Sequence, residues 1–311
     1  MADNHVLRDV GATAAAAAAS AGASWAFYNL LHYQAATART IIPHRTDNAP
    51  DGDGIYLPDG TGPIAYRREQ DLPVDLHLTV FGDSTAAGLG ADTADETPGV
   101  QLTRRVCAET GHTIRYSNKA IVGATSKGLA GQVEATFIAR DKPDVAVILV
   151  GANDVTATNG VRSSAHRLGE AVRMLVDGGA KVVVGTCPDF GVITAIPQPL
   201  RWVLRRWGLR LAAAQRAAVR SAGGRPVPMA DLLAKEFRDK PDHLFSTDQY
   251  HPSAAGYALA AEILLPEVLA AIGEWGPTPL PQPPEVSEAA EQTRLVNRVR
   301  RAIGVLSLIH I

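Results

Sequence analysis

The sequence predicts an α/β domain with a parallel central sheet. Between residues 76 and 273, short runs rich in Val, Ile and Leu alternate with longer segments of helical periodicity. Strands and helices that alternate in this way are typical of parallel strands joined by right-handed helical crossovers. The strand candidates are almost continuously apolar, as expected of parallel strands buried on both faces. The pattern contains no internal repeat.

The elements follow in order from local patterns. Leu78-Thr79-Val80-Phe81 is apolar and rich in β-branched residues, which predicts a buried strand. Later helices are predicted where apolar residues recur on one face, as Leu168, Val172 and Leu175 do. The predicted order is helix 98–110, strand 113–117, helix 126–139, strand 145–150, helix 162–177, strand 181–185, helix 200–221, strand 226–229 and helix 253–272.

Length and composition exclude several classes of protein. The chain has 311 residues, 46% hydrophobic and 20% charged, which is ordinary for a folded protein with a sizeable core. A formal net charge of -2 gives no basic surface, so no nucleic acid partner is expected. Cys107 and Cys187 are too few for a disulfide framework; we expect core thiols, with one isolated bridge left open. The nine histidines lack close ligand spacing, so no metal is expected.

The N-terminal segment, residues 1–40, is predicted to be a signal or a membrane anchor. Val10 to Tyr28 is uncharged, and as a helix it would span roughly 28 Å, close to the thickness of a bilayer core. Its many alanines are only weakly apolar, so three alternatives stay open: an uncleaved anchor, a cleaved secretory signal and an ordinary soluble helix. The expected location is the cell envelope, membrane-anchored or secreted, with the cytoplasm left open.

Two further segments flank the predicted domain of residues 76–273. Residues 41–75 are rich in Pro, Gly and Asp and form a connector, in which Gly54 to Tyr66 reads as a small hairpin. Residues 274–311 combine a proline-rich linker with a basic amphipathic helix. Such a helix either lies on a membrane surface or docks on its own domain.

The first candidate for chemistry is the turn Gly82-Asp83-Ser84, directly after the first predicted strand of the domain. The carboxyl ends of parallel strands are where open α/β sheets bind ligands. A serine there becomes a nucleophile only when a neighbouring base takes its proton. Alone, the turn is better explained as an ordinary turn between a strand and a helix, with Ser84 capping the next helix.

Two further loops supply candidate hydrogen-bond donors. In the loop 118–125, Gly123 could point an unhindered backbone N–H into the site. In Gly151-Ala152-Asn153-Asp154, after the central strand 145–150, Asn153 could supply a side-chain amide donor to an oxyanion. An Asx turn that closes the strand is the alternative explanation of Asn153.

The candidate base for Ser84 lies in the loop Asp248-Gln249-Tyr250-His251-Pro252, just ahead of the last predicted helix. An aspartate three residues before a histidine on one irregular turn can hold the imidazole ring and its tautomer while the ring faces the serine. One loop would then supply both His251 as the base and Asp248 as the group that orients it.

Together these four loops resemble the SGNH hydrolases, also called GDSL esterases and lipases. The matching residues occur in the order of the family's four blocks and extend from residue 76 to about residue 272: Gly82-Asp83-Ser84 with Gly88 and Gly90; Asn118 with Gly123; Gly151-Ala152-Asn153-Asp154; and Asp248 with His251, Pro252 and Gly256. Thr85 replaces the family's usual leucine. Position 86 is Ala, so the GxSxG turn of α/β-hydrolases is absent.

The resemblance implies a flavodoxin-like three-layer αβα sandwich with a central parallel sheet of about five strands. It also implies Ser84 as the nucleophile, His251 as the general base and then acid, and Asp248 as its partner. The implied oxyanion hole comprises the backbone N–H groups of Ser84 and Gly123 and the side chain of Asn153. No cofactor is required.

The expected activity is therefore the hydrolysis of an ester through an acyl-enzyme on Ser84. The expected partner is a small-molecule ester or an ester of a lipid or an acylated glycan. An acyltransferase, or an O-deacylase acting on glycans or lipids, would use the same residues. A membrane-tethered binding module without catalysis is the alternative from another class, and the oligomeric state is left open.

Overall fold

A computed structural model describes residues 24–38, 40, 49–67, 72–280 and 287–293 of the protein. Within them, six strands form one sheet in the order β1-β3-β2-β4-β5-β6. All neighbouring pairs are parallel except β1 and β3, which are antiparallel. The strands are β1 (Gly54–Tyr56), β2 (Leu76–Gly82), β3 (Ile114–Asn118), β4 (Val145–Leu149), β5 (Lys181–Gly185) and β6 (Arg225–Val227). The predicted parallel sheet is confirmed.

The helices of the described part cover both faces and the carboxyl edge of this sheet. They are α1 (24–38), α2 (Ser84–Ala87), α3 (Pro98–Thr110), α4 (Ser126–Ile138), α5 (Ala152–Thr156), α6 (Val161–Asp177), α7 (Leu200–Ser221), α8 (Met229–Asp239), α9 (Pro241–Leu244), α10 (Ala254–Ile272) and α11 (Glu288–Thr293). The long helices lie close to the predicted ranges. Helices α5, α8 and α9 were not predicted, whereas α11 lies within segment 274–311, for which a helix was predicted.

Alternate residues of each strand separate the core into two apolar layers. On one face, Val80 and Val147 pack in a cluster with residues of α3 and α10, such as Val106 and Leu264. On the other face, Phe81, Ile148 and Val184 pack in a cluster with residues of α4, α6 and α7. Because side chains alternate along a strand, a sheet that is apolar on both faces needs helices on both sides. The result is the expected αβα sandwich.

The connector contributes a strand to the central sheet. β1 pairs with β3 at the sheet edge, and Ile55 exchanges two backbone hydrogen bonds with Ile64, as in a short hairpin. The parallel part of the sheet has five strands, as expected, and β1 is a sixth, antiparallel one. The division of the chain into segments 1–40, 41–75, 76–273 and 274–311 stays a prediction.

The last long helix, α10, is both apolar and part of the core. Its length and apolar composition are sufficient for a helix that spans a membrane. Tyr257, Ala261, Leu264 and Val268 are, however, buried against the sheet layer. A core helix of a folded domain can be equally long and apolar, so the apolar composition of α10 is explained by its burial.

Other predictions fall partly outside the described residues. Most of the uncharged run from Val10 to Tyr28 lies outside them, because the described part of α1 begins at residue 24. The arginine cluster at 294–301 lies entirely outside them. The described part of the C-terminal segment, α11, places Ala289 against Leu209 and Ala230. Cys107 and Cys187 are buried and free, so they are core thiols and the open question of a bridge is answered.

Candidate active site

The turn after β2 places Ser84 at the carboxyl edge of the sheet. Asp83 caps α2, because its Oδ1 atom accepts the N–H of Thr85 at 3.0 Å. Gly82 has a φ of 136°, and a Cβ atom there would lie 1.9 Å from the carbonyl oxygen of Leu149. Only glycine fits such a close approach of two backbones. Gln132 bonds both the N–H and the carbonyl of Gly82, at 2.9 and 2.8 Å.

The loop before α10 places His251 beside that turn. Asp248 organises the loop: its Oδ1 atom accepts the backbone N–H groups of Tyr250 and His251 and the hydroxyl of Ser246, at 2.9, 2.8 and 2.8 Å. Its Oδ2 atom lies 2.7 Å from Nδ1 of His251. The short spacing of Asp248 and His251 therefore produces the contact that the sequence predicted.

Ser84 and His251 meet across the site. The Oγ atom of Ser84 lies 2.9 Å from Nε2 of His251, and both residues are buried together with Asp248. A hydroxyl, an imidazole and a carboxylate are thus connected in one line. A nucleophile within hydrogen-bond reach of a base, with the base oriented by a third group, is the arrangement that activates serine.

The two aspartates of the site have opposite electrostatic environments. Burial opposes ionisation of Asp248, but the hydrogen bonds from the ring and backbone of His251 and the backbone of Tyr250 outweigh it and hold its pKa well below the usual range. Burial raises the pKa of Asp83 to about 6, against hydrogen bonds from the backbones of Thr85 and Gly151. Asp248 is therefore an anion at neutral pH, while Asp83 gains a proton readily on mild acidification.

The predicted oxyanion donors lie around the same cavity as Ser84. Gly123 and Asn153 both line it. Gly123 has a φ of 80°, and a Cβ atom there would meet nothing within 4 Å. The Nδ2 atom of Asn153 donates to the carbonyl of Ala124 at 2.9 Å, which orients the amide. Asn118 instead bonds the carbonyl of Ala86 at 3.2 Å and so joins β3 to α2.

The cavity itself has a volume of about 510 Å³. This volume is within the range of roughly 300–1,000 Å³ that is typical of ligand sites. Beyond Ser84 and His251, its walls are mostly apolar, and these wall residues were not predicted from the sequence. They come from α1 and from the first turns of α7, and include Tyr28, Leu31, Ala35, Leu200, Val203, Leu204 and Trp207.

A smaller apolar cavity of about 110 Å³ lies beside the first one. Phe190, Phe237 and Met229 are among the residues that line it. Tyr250 lines both cavities. The ring also contacts His251 edge-on, with centroids 5.0 Å apart.

Comparison with known proteins identifies the family. The model of the GDSL-like lipase/acylhydrolase family matches residues 80–259, a stretch that contains both Ser84 and His251. The chain belongs to this family. A GDSL-like esterase of Mycobacterium tuberculosis is 55% identical over 253 residues, which cover 81% of this chain and 80% of that protein. The protein is therefore an enzyme that hydrolyses esters, and the resemblance found in the sequence is confirmed.

Two solved structures are similar to this chain at low sequence identity. The psychrotrophic esterase EstA of Pseudoalteromonas sp. is 19% identical, with a TM-score of 0.52 over 64% of this chain and all of that one. An acetylxylan esterase of Geobacillus stearothermophilus is 19% identical, with a TM-score of 0.48 over 66% of this chain and 97% of that one. The similarity to EstA shows that the two proteins share a fold.

Proposed function

We propose that this enzyme acts through an acyl-enzyme on Ser84, with His251 and Asp248 as the other members of a catalytic triad. One observation carries the proposal. It is the unbroken line from Oγ of Ser84 to Nε2 of His251, at 2.9 Å, and from Nδ1 of His251 to Oδ2 of Asp248, at 2.7 Å.

Each contact supplies one part of the reaction. Nε2 of His251 accepts the proton of the Ser84 hydroxyl while Oγ attacks the ester carbonyl. The same nitrogen then donates that proton to the leaving alcohol, and the acyl group stays on Ser84. A water molecule, deprotonated by His251, attacks the acyl-enzyme and releases the acid and the free serine. Asp248, held as an anion, stabilises the imidazolium and the tautomer in both steps.

The charge that develops on the carbonyl oxygen needs fixed donors. We assign this role to the backbone N–H groups of Ser84 and Gly123 and to the side-chain amide of Asn153, which surround one cavity. Asn153 uses one amide hydrogen for the carbonyl of Ala124 and has a second hydrogen to donate. Donors that are already oriented cost no rearrangement when the oxyanion forms.

The cavity walls favour an ester with an apolar acyl group. Most residues around Ser84 in the larger cavity are aliphatic or aromatic, and among the residues that the structure describes no Asp, Glu, Lys or Arg lines it. Burying a charged substrate group there would cost free energy without compensation.

The test is hydrolysis of p-nitrophenyl butyrate by the purified full-length protein. Full length is needed because α1 forms part of the cavity wall. We expect Ser84→Ala to lower kcat/KM by at least about 10⁴-fold, the scale on which triad members act. Ser163→Ala, at an exposed serine of α6, is the matched control and should retain full activity.

A fluorophosphonate should add to the wild type once, at Ser84, and mass spectrometry of peptides would locate it. Hydrolysis by a folded Ser84→Ala variant at the wild-type rate would refute the proposal. Activity towards added alcohols in place of water would instead identify the enzyme as an acyltransferase that uses the same residues.

A further inference from the structure

Helix α1 has no charged residue, yet one side of it faces solvent. Trp25 is 71% exposed, Tyr33 is 72% exposed and Leu30 is 42% exposed. At 100° per residue these three side chains lie within one arc of the helix. Single exposed apolar residues are normal, but a surface helix of a soluble domain places charged residues on its outer face. The outer face of α1, defined by Trp25, Leu30 and Tyr33, therefore lacks the charged residues that are expected on a solvent-facing helix surface.

The opposite side of α1 is attached to the enzyme. Leu31 and Ala35 pack against the apolar cluster beside α7. The Oε1 atom of Gln34 accepts the N–H of Leu200 at 3.0 Å, and its Nε2 atom donates to the carbonyl of Gln198. Both polar atoms of the Gln34 side chain therefore hold α1 against the start of α7. The outer face is exposed while the helix itself is docked.

The docked side of α1 is also a wall of the catalytic cavity. Tyr28, Leu31 and Ala35 line the cavity of about 510 Å³ that contains Ser84. The facing wall is α7, through residues such as Val203 and Trp207. The site therefore lies next to the helix whose outer face is apolar.

Charge and chain continuity indicate what covers the outer face. From Val10 to Ala38 the sequence contains no Asp, Glu, Lys or Arg, so the uncharged stretch continues from α1 towards the N-terminus. Helix α7 contains no acidic residue, and its Arg201, Arg206 and Arg210 make no ion pair within the described part of the chain. Arg206 lies over the ring of Trp202, 5.7 Å from its centroid. Aromatic rings and arginines beside an uncharged stretch suit the interface of a bilayer that contains anionic lipid.

We propose that the outer face of α1 lies on a lipid bilayer and that the catalytic cavity takes the acyl chain of a lipid ester from that bilayer. The inference rests on the proposed ester hydrolysis at Ser84 and adds its substrate class. The acyl chain enters between α1 and α7, its carbonyl carbon reaches Oγ of Ser84, and the acid and alcohol return to the bilayer or to water.

The test compares two esters of one fluorophore. 4-Methylumbelliferyl butyrate is supplied in solution, and 4-methylumbelliferyl oleate is supplied in vesicles of phosphatidylcholine and phosphatidylglycerol. The full-length triple variant Trp25→Ser/Leu30→Ser/Tyr33→Ser should lose about tenfold or more of its rate on the vesicles, because less apolar area is buried at the interface. Its rate on butyrate should stay within about twofold of the wild type. Ile138→Ser, at an 83% exposed residue of α4, is the matched control.

A second measurement reports docking without catalysis. The chain has four tryptophans, and Trp25 is the one on the outer face. Brominated lipid should quench the wild type, and Trp25→Phe should remove most of that quenching, whereas Trp275→Phe should not.

The remaining outcomes separate the two proposals. An equal loss of rate on both esters, or no loss on either, would overturn the bilayer assignment. The assignment would also be overturned if the triple variant were a monomer, the wild type a dimer, and the rate on vesicles unchanged. Absence of any Ser84-dependent hydrolysis of butyrate would refute the catalytic proposal instead, and Trp25 quenching would still decide whether the face docks on lipid.

Discussion

Two loops meet at the active site of this esterase, and they are held in place by different means. The turn at residues 82–84 is fixed by its backbone, since Gly82 lies against Leu149 and is bonded twice by Gln132. The loop at residues 246–251 is fixed by one side chain, because three groups donate to Oδ1 of Asp248. The first loop therefore depends on the absence of a side chain, and the second on the presence of a charge.

Each loop also contains a buried aspartate. Burial raises the pKa of Asp83 to about 6, whereas hydrogen bonds keep that of Asp248 low despite its burial. The same residue type thus has opposite protonation behaviour at two places in one site. Hydrogen bonds to the Asp248 carboxylate outweigh its burial, whereas those to Asp83 do not, so burial alone does not identify a functional carboxylate.

The largest expected effect is on catalysis by Asp248→Asn. We expect kcat/KM for p-nitrophenyl butyrate to fall by about 10⁴-fold, because a neutral amide neither stabilises the imidazolium of His251 nor selects its tautomer. Asp83→Asn is the matched control, and we expect it to lose less than about tenfold. Equal losses in the two variants would mean that the two aspartates do not differ in the way the structure indicates.

The next effect is on stability, through the backbone of the other loop. Gly82→Ala should lower the free energy of unfolding by more than about 4 kcal/mol, because its Cβ atom would clash with a central strand as well as impose an unfavourable φ. Gly111→Ala separates these causes: Gly111 has a φ of 72° with no atom within 4 Å of the added carbon. It should cost only about 1–2 kcal/mol. Urea unfolding of both variants measures the difference, and similar losses would contradict the steric argument.

The smallest effect is a pH dependence of stability that comes from Asp83. Its pKa rises from an ordinary 3.8 to about 6 on folding, so the folded state binds this proton more tightly. As the pH falls from about 7 to about 4, the wild type should gain stability relative to Asp83→Asn, by up to about 3 kcal/mol. Asp248 acts in the opposite sense, since its contribution is complete above its unfolded pKa and lost below it.

Because Asp83→Asn retains Asp248, the difference between the two proteins isolates Asp83. Urea unfolding at pH 7, 6 and 5 measures it. A difference that does not change with pH would show that Asp83 keeps an ordinary pKa in the folded state.

Much of the fold was predictable because its signals are local. Apolar strands such as 145–150 and the one-sided helix 162–177 are visible within windows of a few turns, and these elements formed close to the predicted ranges. The turns that contain Ser84 and His251 were predictable because they lie next to the ends of such elements, after β2 and before α10. Helices α5 and α9 were missed because they have only five and four residues, too few for a helical period to show. Helix α8 is 11 residues long and amphipathic, so a local signal for it was present in the sequence and was overlooked.

The amino-acid sequence alone determined the order of strands and helices, the family, and the residue types present at each strand end, since all of these depend on near neighbours along the chain. Only the tertiary structure brought Ser84 to His251, 167 positions later, at 2.9 Å. It also placed β1 in the sheet and made α1 a wall of the cavity. These arrangements depend on packing between segments far apart in sequence, and no local pattern records which surfaces will meet.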